Sequence, residues 1–287
     1  MWKNPENSIK ILRPDTVIAG RKGKEKMKLF KWIFIAGAAV LLFPELAAQK
    51  KIAEYKPEPP DRYKWVRITS ERHTKYAKRY KSMGILFLGD SITSQWLASP
   101  KIRYSGGLEV WKKYFVKNSL NFGISGDKIE HVLWRITEGQ QLDHCQFSVI
   151  VLMIGTNNIL SSQKTPQTLE QIAHGNKQII DIILKKQPRA KILLLSILPL
   201  SFDGKTRDKM ADDILPHLQK LADNKRVFFL DVAKLFRNEK GKKILLRDGV
   251  HPSPEGYQKM AELIKPETER LLMLVKQEKA KQAASGK

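Results

Sequence analysis

A serine, an aspartate and a histidine stand where they could form a nucleophile and its base. Ser91 directly follows an apolar run that ends at Gly89-Asp90, a pattern that predicts a buried strand ending in a sharp turn. Asp248 and His251 lie three residues apart in a polar segment much later in the chain. A serine hydroxyl becomes a good nucleophile only when a base takes its proton. On its own stretch Ser91 is more simply interpreted as a helix N-cap, so the catalytic hypothesis depends on the histidine.

Apolar segments and amphipathic segments alternate along the chain. The predicted strands are 85–88, 120–122, 148–154, 191–198 and 227–231, and the predicted helices are 63–81, 108–116, 128–136, 169–186, 207–223 with an interruption at Pro216, and 254–275. Such alternation predicts a parallel sheet with helices on both faces. The fold class is therefore α/β, a three-layer α/β/α sandwich of flavodoxin-like winding with a five-stranded parallel sheet.

Small polar turns follow three of the predicted strands. They are Gly89 to Ser91, Gly123 to Asp127 and Gly155 to Asn158. Because the carboxyl ends of parallel strands meet at one edge of the sheet, where ligands bind, we expect the three turns to converge on one crevice. An isolated Asn157 would be interpreted as a residue that closes a turn, and the convergence favours a role in the crevice instead.

These segments, in this order, resemble the four blocks of the SGNH (GDSL-type) hydrolases. The blocks are Gly89 to Thr93, Gly123 to Gly126, Gly155 to Asn157, and Asp248-x-x-His251. The segments Asn121 to Asp127, His131 to Arg135 and Gly155 to Asn158 are similar more narrowly to the branch that contains the catalytic subunits of platelet-activating factor acetylhydrolase and related bacterial esterases. The resemblance extends from about Trp65 to Leu274. A single block would be weak evidence, whereas four blocks in register are specific.

The resemblance implies a role for each matched residue. Ser91 would be the nucleophile, His251 the general base and later acid, and Asp248 the group that orients His251. The oxyanion hole would be formed by the backbone N–H groups of Ser91 and Gly126 and by the side-chain amide of Asn157. The mechanism of the family requires no cofactor and no metal ion.

The composition restricts the partners and the means of stabilisation. The chain carries a formal net charge of +23, which brings acidic partners into consideration. The cationic residues are scattered along every segment without interleaved aromatic residues, so we predict a solvated basic surface and no specific nucleic-acid site. Cys145 is the only cysteine, which rules out an intramolecular disulfide and a cysteine-based metal cluster.

The N-terminal part of the sequence has the layout of an export signal. Basic residues around Met27 precede an apolar run from Trp32 to Phe43, and small residues follow at Ala47 and Ala48. The run is shorter than the roughly 20 residues of a membrane-spanning helix, so we predict a signal peptide cleaved after Ala48 and an exported protein. A retained membrane anchor is the alternative, and Met27 as the true start is a further one.

The predicted organisation has four parts. Residues 1–48 form a basic lead with the signal or anchor, 49–81 a linker with a helix that leans on the domain, 82–275 the hydrolase domain, and 276–287 a basic tail. The chain would contact a membrane only if the N-terminal apolar segment is retained. A homodimer is compatible with the sequence.

The expected activity is that of a serine esterase acting on short acyl esters, acetyl above all, through an acyl-enzyme. Export and basic charge favour O-acetylated carbohydrate as the substrate. A lysophospholipase or a thioesterase would carry the same four blocks. A non-catalytic binding protein on this fold is an alternative of another class, and it predicts that Ser91, Asp248 or His251 is misplaced. A binder of nucleic acid or another anionic polymer is a further alternative, resting on the charge alone.

Overall fold

The computed structural model describes residues 52–59, 63–99, 106–161, 167–201, 205–240 and 243–286. The predicted signal or anchor and its cleavage site at Ala48 lie outside these ranges. Within them, no helix is long and apolar enough to cross a membrane. The chain from Ile52 onward forms one compact unit.

Five parallel strands form a single sheet in the order β2-β1-β3-β4-β5. Their bounds are β1 (Ser82–Gly89), β2 (Ser119–Gly123), β3 (Gln146–Met153), β4 (Lys191–Leu195) and β5 (Val227–Leu230). Gly89 at the end of β1 pairs with Gly123 on one side and Met153 on the other. The three strands therefore end at the same level, and the predicted fold class is confirmed.

Nine α-helices connect and flank these strands in the described ranges. They are α1 (Lys64–Ala77), α2 (Ser91–Ser94), α3 (Leu108–Tyr114), α4 (Ile129–Ile136), α5 (Thr156–Ser161), α6 (Leu169–Lys186), α7 (Lys205–Asp213), α8 (Leu215–Gln219) and α9 (Pro254–Ala284). Short 3₁₀ turns follow α2 at Gln95–Leu97 and β5 at Ala233–Phe236.

Side chains of the central strands alternate between two cores, as the period of a strand requires. On β1, Leu86 and Leu88 belong to a core that includes residues of α1, α4 and α6. Ile85 and Phe87 belong to the other core, which contains Trp111 and residues of α9. All four β1 side chains are 4% exposed or less, and burying each contributes about 2 kcal/mol. The strand that leads to Ser91 is thus held firmly from both faces.

Several predicted element ends are wrong. The helices predicted to end at residues 81 and 223 end at Ala77 and Gln219, and two further ends differ for identifiable reasons. The strand predicted to reach Leu198 ends at Leu195, because the Ser196 hydroxyl turns to accept hydrogen bonds from the N–H groups of Val232 and Ala233. The last helix was predicted to end at Val275 but continues to Ala284. The added residues are lysine, glutamine, glutamate and alanine, all good helix formers, so most of the predicted tail lies within α9.

The segment before α1 packs on the domain. The N–H of Tyr55 donates to the side-chain oxygen of Gln178 at 2.9 Å, and its hydroxyl donates to Gln167 at 2.7 Å. The tyrosine ring lies against Gly175 on α6. The predicted linker is therefore in contact with the domain from residue 55.

Candidate active site

Ser91 begins α2 immediately after β1. Asp90 is the N-cap, and its Oδ1 accepts the Ile92 N–H at 3.0 Å. The turn is tight, since a Cβ at Gly89 would meet the carbonyl oxygen of Met153 at 2.2 Å and the Thr93 side chain at 2.3 Å. Ser91 is thereby fixed at the carboxyl edge of the sheet, and the capping role that its own stretch suggested belongs to Asp90.

The loop before α9 brings the histidine to the serine. Nε2 of His251 lies 2.8 Å from Oγ of Ser91, across 160 residues of sequence. Nδ1 of the same ring lies 2.8 Å from Oδ2 of Asp248. The second carboxylate oxygen accepts the backbone N–H groups of Val250 and His251 at 3.1 and 2.8 Å. The structure thus joins the three predicted residues in one hydrogen-bonded chain.

The electrostatics of the loop determine which ring nitrogen carries the proton. Burial would raise the pKa of Asp248, but hydrogen bonds from the backbone and ring of His251, together with the charge of that ring, outweigh burial and lower it. An ionised carboxylate only accepts hydrogen bonds. Nδ1 therefore carries the proton, and Nε2 is left to accept the hydroxyl proton of Ser91. This is the tautomer that a general base needs.

Gly126 and Asn157 lie beside Ser91 and line the same cleft. Gly126 has a φ of +79°, a conformation that glycine adopts without steric cost, and it exposes the backbone of the turn to the cleft. The amide of Asn157 donates to the carbonyl oxygen of Asp127 at 2.8 Å. Because a carboxamide has two N–H donors, one remains for a ligand. Both predicted oxyanion-hole residues are therefore adjacent to the serine.

Arg135 connects these turns through hydrogen bonds and an ion pair. Its guanidinium donates to the carbonyl oxygens of Phe122 at 2.6 Å and Gly89 at 3.1 Å. It also forms an ion pair with Asp127 at 2.8 Å, in which both side chains are fully buried. One side chain thus holds the ends of β1 and β2 and the residue that follows Gly126.

Arg135 lies in a segment that resembles the family, but the sequence pattern indicated no role for it. The available signal was its position, three residues after Val132 on the apolar face of α4. A cation on such a face requires a buried partner, and Asp127 and Glu130 are the two acids that shortly precede it. Gln95, Leu160 and Val250 also line the cleft, and nothing in their local sequence pattern indicated this.

The cleft has a volume of about 470 Å³, within the range of small-molecule sites. Leu160 and Val250 form its apolar part, while Ser91, Gly126 and Asn157 provide polar groups. Trp111 packs in the aromatic core against Phe87 rather than in the cleft. The arrangement can hold a small uncharged acyl group with its carbonyl carbon next to Ser91.

Asp90 is the most perturbed acid near the serine. Its burial raises its pKa to about 7, an effect that the nearby charge of Asp127 reinforces and that the Ile92 N–H and Arg135 oppose. The side chain is fully buried. Asp90 therefore shapes the turn and does not offer a solvent-exposed charge to a substrate.

This fold and site define a class of protein. Residues 87–259 match the model of the GDSL-like lipase/acylhydrolase family, and the chain belongs to that family. Its predicted membership of the SGNH hydrolases is thereby confirmed.

Individual relatives match a smaller part of the chain than the family model does. The chain is 34% identical over 120 residues to platelet-activating factor acetylhydrolase IB subunit alpha1 of Rattus norvegicus, and 37% identical over 120 residues to subunit alpha2 of Homo sapiens. Each match covers 42% of this chain and 45% of the relative, so the chain spans less than half the length of these relatives.

Solved structures share the fold. A GDSL-like lipase of Bacteroides thetaiotaomicron superposes with a TM-score of 0.53 at 21% identity, over 70% of this chain and 98% of that one. An acetyl xylan esterase superposes with a TM-score of 0.50 at 20% identity, over 63% and 98% of the two chains. At these identities the likeness establishes the α/β architecture alone.

Proposed function

We propose that the protein is a serine esterase that removes short acyl groups, acetyl above all, from esters. The observation that carries the proposal is the hydrogen-bonded chain from Ser91 through His251 to Asp248, with 2.8 Å at each ring nitrogen. Such a chain supplies a nucleophile, a base and an orienting group in contact. The non-catalytic alternative predicted a misplaced member, and these distances give it no support.

The proposed reaction proceeds in two halves. Oγ of Ser91 attacks the ester carbonyl carbon while its proton passes to Nε2 of His251. The tetrahedral oxyanion accepts hydrogen bonds from the N–H groups of Ser91, Gly126 and Asn157. Its collapse breaks the bond to the alcohol oxygen, which takes the proton from Nε2 and leaves an acyl-serine. A water molecule then gives a proton to Nε2, attacks the acyl carbon and releases the acid and the Ser91 hydroxyl.

The acyl length is proposed from two observations. The relatives that match at 34 and 37% identity bear the name acetylhydrolase, and among the described residues that line the cleft of about 470 Å³, Leu160 and Val250 are the aliphatic ones. A long acyl chain would need a longer apolar channel to repay about 0.8 kcal/mol for each CH₂ removed from water. A small acyl group fits these walls better.

We further propose that the protein is exported and acts on O-acetylated carbohydrate. The proposal rests on the signal-like segment before Ala48 and on the net charge of +23. Cleavage after Ala48 is expected, with a retained anchor as the alternative. N-terminal sequencing of protein recovered from the cell envelope separates the two.

Hydrolysis of p-nitrophenyl esters from acetyl to palmitoyl tests the activity. Wild type is compared with Ser91→Ala and with Ser285→Ala, a matched change at an exposed serine far along the sequence, after α9. We expect kcat/KM to fall steeply beyond butyryl, and Ser91→Ala to lose at least about 10³-fold while the control keeps its rate. Acetylated and deacetylated xylo-oligosaccharides then test the carbohydrate.

Other results would redirect the proposal. A maximum at long chains would indicate a lysophospholipase or lipase, and a preference for thioesters a thioesterase. Activity that survives in Ser91→Ala at the wild-type level would refute the serine mechanism.

A further inference from the structure

A second cleft lies at the edge of the sheet opposite the candidate active site. Its volume is about 920 Å³, and Ser82 and Gln146, the first residues of β1 and β3, lie in its wall. Ser91 follows the other end of β1, so the two clefts are separated by the length of an eight-residue strand, about 25 Å. The larger cleft therefore takes no direct part in the proposed chemistry.

Cationic side chains from four parts of the fold converge on this cleft. They are Lys81 between α1 and β1, Lys185 and Lys186 at the end of α6, Arg189 before β4, and Lys279 on α9. The described residues that line the cleft include no aspartate or glutamate. Lys186 is paired with Asp143 at 2.6 Å, whereas the other four form no ion pair with any residue that the structure describes. The cleft thus carries an uncompensated positive charge.

The fold itself gives only a small reason for this charge. The C-terminus of α6 carries the equivalent of about half a negative charge, which two lysines in its last turn already exceed. Three further charges, those of Lys81, Arg189 and Lys279, lie in the same concavity, and exposed charges repel one another over a Debye length of about 8 Å at physiological salt. An anionic ligand with several charges would relieve this repulsion.

The residues that line the cleft restrict the class of ligand that it can bind. Among the described residues that line the cleft, Phe147 is the only aromatic one, and it is 3% exposed. Bases would find no surface there on which to stack, as single-stranded nucleic acids require. A concave surface does not lie flat on a bilayer. Exposed Asn118 and Gln146 offer carboxamides, and because Asn118 Oδ1 accepts the Gly84 N–H, its N–H₂ group remains available to hydroxyl oxygens.

From these features we propose that the cleft binds a segment of an anionic polysaccharide. The lysines and the arginine would pair with its carboxylate or phosphate groups, and the carboxamides would bind its hydroxyls. The inference deepens the proposed function and rests on it in one respect, that the polymer also carries the ester. Binding at two separated places on one chain raises the effective concentration of the ester at Ser91.

The test is binding of polygalacturonate to the full chain, measured by calorimetry at low and at physiological salt. The variant Lys185→Glu/Arg189→Glu is compared with Lys64→Glu/Lys234→Glu, which changes the net charge equally at exposed lysines outside the cleft. We expect the cleft variant to bind at least tenfold more weakly and the control to bind like wild type. Lys81→Gln/Lys279→Gln should also weaken binding, so the result does not depend on the correct folding of a single variant. Thermal unfolding of all three double variants tests whether each is folded.

Distinct outcomes separate this inference from the proposed function. Ser91→Ala should bind the polymer unchanged, and the cleft variant should keep its kcat for p-nitrophenyl acetate while its KM for acetylated polygalacturonate rises. Equal weakening in the cleft and control variants would overturn the inference by showing a non-specific charge effect. Tighter binding of an oligothymidylate or of phosphatidylglycerol vesicles than of the polymer, lost in the cleft variant, would also overturn it.

Discussion

Asn157 has two amide protons, and the fold uses one of them. The bond to the carbonyl oxygen of Asp127, at 2.8 Å, fixes the side chain beside Ser91 before any substrate binds. A donor that is oriented in advance costs no reorganisation during the reaction. This geometry favours the oxyanion-hole role over the alternative in which Asn157 merely closes a turn.

Asn157→Ala should lower kcat for p-nitrophenyl acetate by about 10²-fold to 10³-fold, the usual cost of one oxyanion-hole donor. KM should change little, because the donor binds the transition state more strongly than the substrate. Steady-state kinetics measure both. A rise in KM with unchanged kcat would assign Asn157 to substrate binding alone.

Asp90 makes stability depend on pH. Its pKa is about 7 in the folded protein, against 3.8 ordinarily, so between pH 4 and pH 7 the folded state keeps a proton that the unfolded state has lost. Stability from this group is present below pH 4 and declines as the pH rises to 7. The decline should be on the order of 1 kcal/mol per pH unit.

Asp90→Asn should remove this decline while keeping the cap, since its side-chain oxygen can still accept the Ile92 N–H. Urea unfolding of wild type and variant at several pH values between 4 and 8 measures the difference. Parallel pH profiles for the two proteins would contradict the assignment to Asp90.

At the scale of elements, Arg135 is a positioning residue. It joins Gly89, Phe122 and Asp127, which lie beside Ser91 and Gly126. Arg135→Lys keeps the charge but cannot reproduce the planar, branched donor geometry of arginine. We expect kcat to fall at least tenfold with a smaller change in KM, because the nucleophile and the oxyanion donors would shift relative to each other.

A double variant of Arg135 and Asp127 distinguishes an effect of Arg135 on the position of the catalytic groups from its effect on stability. Removing one partner of a buried ion pair costs about 3–5 kcal/mol, whereas replacing both by uncharged residues is often neutral. Arg135→Met/Asp127→Asn should therefore be more stable than Arg135→Met while its kcat stays low. Recovery of kcat along with stability would show that Arg135 acts through stability only.

Elements with strong local patterns were predictable from the sequence. The continuous apolar run of β1 and the helical spacing of Ile172, Ile179 and Ile183 in α6 correspond to the observed elements. Three of the polar blocks fall together because parallel strands bring their carboxyl ends to one edge, and the loop before α9 brings the fourth to them. What escaped prediction depends on contacts distant in sequence: the partners of Arg135, the hydroxyl of Ser196 that ends β4, and the convergence of lysines on the second cleft.

For the whole molecule, the compact unit begins at Ile52. Ser91, Asp248, His251, Gly126 and Asn157 all belong to it, as do the residues that hold them. Of the chain before α1, Tyr55 makes the most extensive described contacts, through its hydrogen bonds to Gln167 and Gln178 and its packing on Gly175.

Protein lacking residues 1–48 should therefore keep its thermal unfolding midpoint and its kcat/KM for p-nitrophenyl acetate within about twofold. Removing residues 1–59 also deletes Tyr55 and exposes the surface that its ring covers, and should cost about 2–4 kcal/mol from lost burial and two hydrogen bonds. Tyr55→Ala in the shorter truncation is the matched control and should account for most of that loss. Thermal and urea unfolding measure all three proteins, and a midpoint already lowered by the first deletion would show that residues before Gln49 stabilise the domain.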